Sequence, residues 1–213
     1  MSGPPPANPK MRGDALRSLG AAVPVATLLA AAAPAAAAAA TLHDLDVKRH
    51  RGRYELVAHT HLEAPIAGIF AVLTSYGDNG YRRISGIYQE SGNVGTDADG
   101  TPLVYTLVKG CVAFFCKEIR RVSRLETEAP NFIRTTALPE RSDFKYSRSE
   151  WRLEAVDGGT DVTYRLVMEP DFWVPPVIGP WLLEKRFKEG GVRALGRIER
   201  LAREPSPLDE PAA

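Results

Sequence analysis

Apolar and polar positions alternate through most of the middle of the chain. Arg53 to Leu62 sets Leu56, Ala58, Thr60 and Leu62 on one face and Glu55, Val57, His59 and His61 on the other, which is a strand pattern. Ala64-Pro65 breaks it, and Ile66, Ile69, Phe70 and Leu73 follow at helical spacing, so a short helix runs from Pro65 to about Ser75. Turn residues Gly77-Asp78-Asn79-Gly80 precede a second short helix over Asn79 to Arg83. Strands are then expected at Ile84–Val94, Leu103–Lys109, Lys117–Glu128, Phe132–Leu138, Lys145–Val156 and Val162–Glu169. Asp157-Gly158-Gly159-Thr160 reads as the hairpin turn joining the last two. After Pro170 the period changes. From Val177 to Ala202 the apolar set Trp181, Leu182, Leu183, Phe187, Leu195, Ile198 and Leu201 is helical. Gly190-Gly191 inside that helix costs about 2 kcal/mol of propensity, and marks either a kink or a close approach to the sheet.

The expected class is therefore α+β. A curved antiparallel sheet of about seven strands, with two short helices after the first strand, wraps a long C-terminal helix. That helix is the one element long enough to cover the apolar sheet face. Space left between the two layers is the candidate ligand site.

The N-terminus has a different composition. Residues 18–40 carry no charge and are dominated by alanine, with Lys10, Arg12 and Arg17 before them and polar sequence from Thr41. A basic start, an apolar run and a small-residue exit describe a signal peptide over residues 1–40, with Met11 as an alternative start. An uncleaved membrane anchor is the competing reading, because the run is long enough to span. The remaining divisions are a linker at 41–49, a ligand-binding domain at 50–203 and a disordered polar tail at 204–213. Formal net charge is +1, and removing residues 1–40 makes it −1, so charge gives no case for nucleic acid. Export places the mature chain in an oxidising compartment, the periplasm.

Compartment bears on the only two cysteines, in Lys109-Gly110-Cys111-Val112-Ala113-Phe114-Phe115-Cys116-Lys117. A structural disulfide suits an exported chain. A zinc site, a redox dithiol and two buried thiols compete with it; the usual ligand or Cys-x-x-Cys spacings are missing. On one continuous strand the two α-carbons would stand roughly 17 Å apart and face opposite sides, too far to bond. A disulfide thus requires a turn over Val112 to Phe115, between arms beginning at Leu103 and Lys117.

Three stretches carry a family resemblance: "EAPIAGIFAVLTSYGDNGYRRI", "VTYRLVMEPDFWVPPVIG" and "ALGRIERLA". With the element order, residues 50–203 resemble the helix-grip fold of the START-like (SRPBCC) superfamily. They look most like its bacterial branch of polyketide cyclase/dehydrase and coenzyme Q-binding START-domain proteins. The resemblance implies a cavity mouth ringed by three connections, Gly110 to Phe115, Pro139 to Phe144 and Asp171 to Trp181. Those bring Phe114, Phe115, Phe144, Phe172, Trp173, Val177 and Trp181 to the rim, and a bond between Cys111 and Cys116 would hold the first connection there. Contiguous apolar surface of this kind marks a lipid, membrane or partner site.

Candidate polar groups inside the cavity are Tyr105, Arg134 and Tyr146, with Tyr76, Tyr81 and Arg165 also in play and Glu150 a partner for Arg134. His59 and His61 share a strand face and read as solvated on the outer side. No Gly-x-Ser-x-Gly, His-Glu-x-x-His or phosphate-cradling loop occurs, so the sequence names no catalytic residue, metal or cofactor. The expectation is a monomeric, exported binder of a hydrophobic small molecule, a lipid or quinone-like isoprenoid, whose rim touches a membrane. A cyclase or dehydratase is the second reading, and an interaction protein using the rim is the third.

Overall fold

The computed structural model describes residues 41–112, 115–174 and 178–204. The expected signal segment lies outside them. In chain order the elements are β1 (Thr41–His50), β2 (Arg53–Leu62), α1 (Ile66–Thr74), α2 (Gly80–Ile84), β3 (Tyr88–Thr96), β4 (Pro102–Val112), β5 (Phe115–Glu128), β6 (Phe132–Ala137), β7 (Phe144–Val156), β8 (Gly159–Pro170) and α3 (Ile178–Arg203), with single 3-10 turns at Gly77–Asn79 and Pro139–Arg141. Among the described residues no helix is long and apolar enough to cross a membrane.

All eight strands form one antiparallel sheet, in the order β1-β2-β8-β7-β6-β5-β4-β3. Antiparallel register aligns side chains of one face into rows across the strands. One row runs Val47, Leu56, Leu166, Ser149, Thr135, Leu125, and the next runs Leu45, Ala58, Tyr164, Trp151, Ile133. This is the covered face. Leu62, Val104, Ile133, Leu153 and Val162 from it join Ile69 and Leu73 of α1 and Leu195, Ile198 and Ala202 of α3 in a single core. The long helix thus grips the sheet as its apolar stripe predicts.

α1 and α3 meet at Gly68, where a Cβ would run into the Ala202 backbone carbonyl. Glu199 on α3 is buried, and its carboxylate accepts the Glu63 N–H at 3.1 Å and an Arg203 N–H at 2.8 Å. A buried acid with two donors fixes the helix to the β2–α1 corner.

Four expectations need correction. Residues 41–49 are not a linker but most of β1, an edge strand on β2, which makes eight strands rather than about seven and starts the sheet at Thr41. A register shift between Leu42 and Asp44 breaks the alternation that would have shown it. The strand expected from Ile84 starts at Tyr88, because Ile84 closes α2 as a buried helical residue. Gly190-Gly191 is no close approach to the sheet, since a Cβ at either position meets nothing within 4 Å and α3 runs on unbroken. The tail does not begin at Glu204, which pairs with Arg83 at 3.1 Å. Residues 205–213 lie outside the described ones.

The cysteine hairpin is present. β4 and β5 pair to the end of both strands, with Val112 opposite Phe115 and Cys111 directly opposite Cys116. Pairing continues one step past the cysteines, so Val112 and Phe115 belong to the strands and not to the four-residue loop the spacing suggested.

Candidate functional site

The covered face is not uniformly apolar. On β5 the residues Ile119, Arg121, Ser123 and Leu125 share it by alternation, so one charged side chain points under the helices. One Arg121 terminal nitrogen donates to the Thr135 hydroxyl at 2.8 Å and to the Thr135 carbonyl at 3.2 Å. The Thr135 hydroxyl is also 2.7 Å from that of Ser149 on β7. A polar row therefore crosses three strands inside an apolar shell, linked by these bonds, although Arg121 Nε itself has no partner.

Aromatic rings surround it. Tyr76 and Tyr81, from the segment joining α1 to α2, stack at 4.3 Å, and Tyr88 meets Tyr81 edge-on at 5.1 Å. Trp151 and Tyr164 pack at 4.1 Å on the adjoining strands. The Tyr81 hydroxyl is hydrogen bonded to the Leu73 carbonyl at 2.7 Å and to the Tyr76 hydroxyl at 2.9 Å. Ser91 pins the segment, donating to the Tyr76 carbonyl at 2.9 Å and accepting the Tyr81 N–H at 3.2 Å.

Burial pushes the phenols of Tyr76, Tyr81, Tyr88 and Tyr164 above the ordinary tyrosine range, Tyr88 to about 12. The Arg121 charge opposes that rise at Tyr76, Tyr88 and Tyr164, which sets its guanidinium within electrostatic reach of all three. Tyr88 and Tyr164 are as deeply surrounded by protein as Tyr76 and Tyr81, yet each keeps part of its surface accessible, as do Arg121 and Trp151. At neutral pH these phenols are proton donors.

The three polar groups expected in the cavity face the other way. Val104 and Ile133 belong to the core, so their neighbours Tyr105 and Arg134 point outward. Arg134 does pair with Glu150, at 2.9 Å, but on the outer face, where it stacks over Phe132 at 4.8 Å. Tyr146 is opposite Glu169, under the Arg53 guanidinium at 4.9 Å. Tyr105 lines an open outer groove of about 780 Å³ with Leu107, Arg120 and Val122. His59 and His61 are outward as expected, bonded to Thr163 at 3.1 Å and Asp161 at 2.8 Å.

The rim connections converge at one end of the sheet. Asp143 accepts the Arg120 N–H of β5 at 2.7 Å, donates its own N–H to the Arg120 carbonyl at 2.9 Å, and accepts the Asp171 N–H at 3.0 Å. Lys117 sits over the Phe172 ring at 4.6 Å. Phe144 is buried opposite Pro170, whereas Trp173 is 80% exposed. Phe114 and Val177, and the side chains of Cys111, Phe115 and Trp181, lie outside the described residues. Sequence reasoning had found Tyr76 and Tyr81; it missed Arg121, Tyr88 and Tyr164.

No family model and no curated protein matches the sequence. Solved structures do. The chain is similar to a START superfamily protein from Mycobacterium smegmatis, at 15% identity and TM-score 0.55 over 69% of this chain and 98% of that one. It is similar to a STAR-related lipid transfer protein from Xanthomonas axonopodis, at 16% and 0.53 over 75% and 99%. It is also similar to the Zhui aromatase/cyclase of Streptomyces sp. R1128, at 17% and 0.53 over 70% and 93%. At these identities the likeness establishes the fold: the chain has the START-like helix-grip architecture.

Proposed function

We propose that the protein is an exported START-like binder of a hydrophobic small molecule, a lipid or quinone-like isoprenoid, held between the sheet and α3. The observation that carries this reading is the cluster of aromatic side chains under the helices, Tyr76, Tyr81, Tyr88, Trp151 and Tyr164, the last three only partly buried. Burial of apolar ligand surface there supplies on the order of 25 cal/mol per Å² before ordering costs. A lipid transfer protein and an aromatase/cyclase among the similar structures support an apolar ligand. The rim would gate the space through a disulfide between the opposed Cys111 and Cys116, and Trp173 would touch a membrane. Cleavage after residue 40 and a monomeric state complete the proposal.

The test is organic extraction of protein purified from its native host, followed by mass spectrometry. An apolar species at near-stoichiometric yield is expected. Repeated absence of one, with no uptake of added lipid, rejects the reading.

One observation favours a cyclase-type enzyme instead. Protonated phenols around a guanidinium can donate hydrogen bonds to a substrate carbonyl and favour enolisation. Substitution of Tyr88 or Tyr164 by Phe should then slow turnover of a ring-forming polyketone; unchanged turnover in both removes the enzyme reading.

A further inference from the structure

The hairpin between β1 and β2 reads Lys48-Arg49-His50-Arg51-Gly52-Arg53, four cations in six residues. Arg51 and Gly52 close it at φ of 48° and 88°. Beside it lies the passage that leaves β8. Arg49, Arg51, Lys145, Phe172, Trp173 and Val174 together line one open groove of about 270 Å³.

Charge at this groove is one-sided. Glu169 is the one acid among its described lining residues, and Arg53 holds it at 3.3 Å. Asp171 close by stands 3.8 Å from Lys145. Each acid at this end thus has its own cation, and Arg49 and Arg51 add positive charge to that balance. Arg49 is placed by packing, with its guanidinium 5.5 Å from the centre of the buried Tyr54 ring.

The same end carries an apolar projection. Trp173 is 80% exposed, and Phe172 beside it is half-buried under the Lys117 ammonium at 4.6 Å. An indole in water gains only when it enters an apolar medium, and the cations around it gain only from anions at the level of its base. A soluble anion satisfies the cations and leaves the indole in water. A bilayer with anionic headgroups supplies both, acyl chains for the ring and phosphates for the guanidinium groups.

We infer that this end of the protein docks on an anionic lipid surface, with Trp173 in the acyl boundary and Arg49, Arg51 and Lys145 against lipid phosphates. This rests on the membrane contact proposed above and narrows it: a neutral bilayer leaves the cations of the groove unmatched. Docking in this pose turns the β8–α3 passage toward the lipid.

The experiment titrates the full chain from its native host with two kinds of vesicle and reads the bound fraction by co-sedimentation. One kind is phosphatidylcholine alone, and the other is equal parts phosphatidylcholine and phosphatidylglycerol. Binding to the anionic vesicles should be roughly tenfold tighter or more, since each basic residue at such a surface adds about fivefold. The difference should vanish at about 1 M salt, where charges are screened beyond ~3 Å. Arg51→Gln/Lys145→Gln should remove most of the preference, whereas Trp173→Ser should weaken binding to both vesicles and keep their ratio. Equal binding to both by the unsubstituted protein overturns the inference and leaves the membrane contact intact. A preference that survives Arg51→Gln/Lys145→Gln, or that is lost equally in Arg82→Gln/Arg193→Gln, two exposed cations outside the groove, also overturns it. Absence of binding to either vesicle rejects both readings and gives this end to a protein partner. If circular dichroism shows the double variant unfolded, Lys145→Gln alone decides: a loss of about threefold on anionic vesicles with none on neutral ones supports the inference, and no loss overturns it.

Discussion

Asp143 and Arg120 exchange two hydrogen bonds, the carboxylate taking the Arg120 N–H at 2.7 Å and the Arg120 carbonyl taking the Asp143 N–H at 2.9 Å. Because Asp143 also accepts from Asp171, one residue joins β5, the 139–143 connection and the passage into α3. Asp143→Ala removes the carboxylate bond and should cost about 1 kcal/mol. Faster amide exchange at Arg120 with little change at Leu153 is the expected signature. Uniform loss of protection would mean that Asp143 supports the whole fold rather than the rim.

The opposed cysteines make a second prediction. A non-reducing peptide map of exported protein should show Cys111 and Cys116 cross-linked. The closed ring is short, so Cys116→Ser should lower stability by only about 2 kcal/mol on the chain-entropy account. The larger effect should be faster ligand release. Free thiols at both positions would remove the staple.

Trp173 tests the membrane contact. It is 80% exposed, whereas Phe144 nearby is buried. Trp173→Ser should weaken liposome co-sedimentation by roughly tenfold, from an aromatic ring no longer buried in lipid. Unchanged sedimentation, with capture of one protein partner that Trp173→Ser abolishes, would favour the interaction reading.

At Gly68 the backbones of α1 and α3 leave no room for a side chain, since a Cβ meets the Ala202 carbonyl. Backbone atoms cannot step aside as a flexible side chain does. Gly68→Ala should therefore destabilise by about 1–3 kcal/mol despite better helix propensity. A denaturant midpoint equal to the parent's would show that the helices separate freely.

Tyr88 predicts an alkaline limit. Burial raises its pKa to about 12, so the folded protein holds a proton that the unfolded chain releases. The associated stability is whole below the ordinary tyrosine value near 10 and is lost as pH rises toward about 12. Tyr88→Phe removes this linkage, so its alkaline unfolding midpoint should move to higher pH. A midpoint that stays put would place Tyr88 in contact with solvent water.

The fold was readable because β2, β7 and β8 alternate over long runs and α3 changes period after Pro170. The site was less so, for a physical reason. Leu103 and Val104 are both buried, as are Phe132 and Ile133, so alternation alone does not say which face of β4 or β6 is covered. Phe132 is buried on the outer side beneath the Arg134 and Arg152 guanidinium groups, at 4.8 and 4.9 Å. That cover misdirected the reading of Arg134, and with it Tyr105. Arg121 hid in a strand rich in charge, where a single inward arginine looks like its solvated neighbours. Its phase with Ile119 and Leu125 was the available signal. For β1, the signal was Arg51-Gly52, which take φ of 48° and 88° in the hairpin turn.

The strand order has a consequence for synthesis. β2 lies between β1 and β8, so Leu56 finds its partner Leu166 only when nearly all of the domain exists. Hairpins from β3 onward can zip in sequence, each strand pairing with the one just made. The first two strands can pair only with each other until then, with their core side chains uncovered. Closure of the sheet is a single late, long-range event, and loop-closure entropy makes such events slow. Until β8 is made, the β1–β2 hairpin and the β3–β7 meander are separate pieces with no sheet pairing between them.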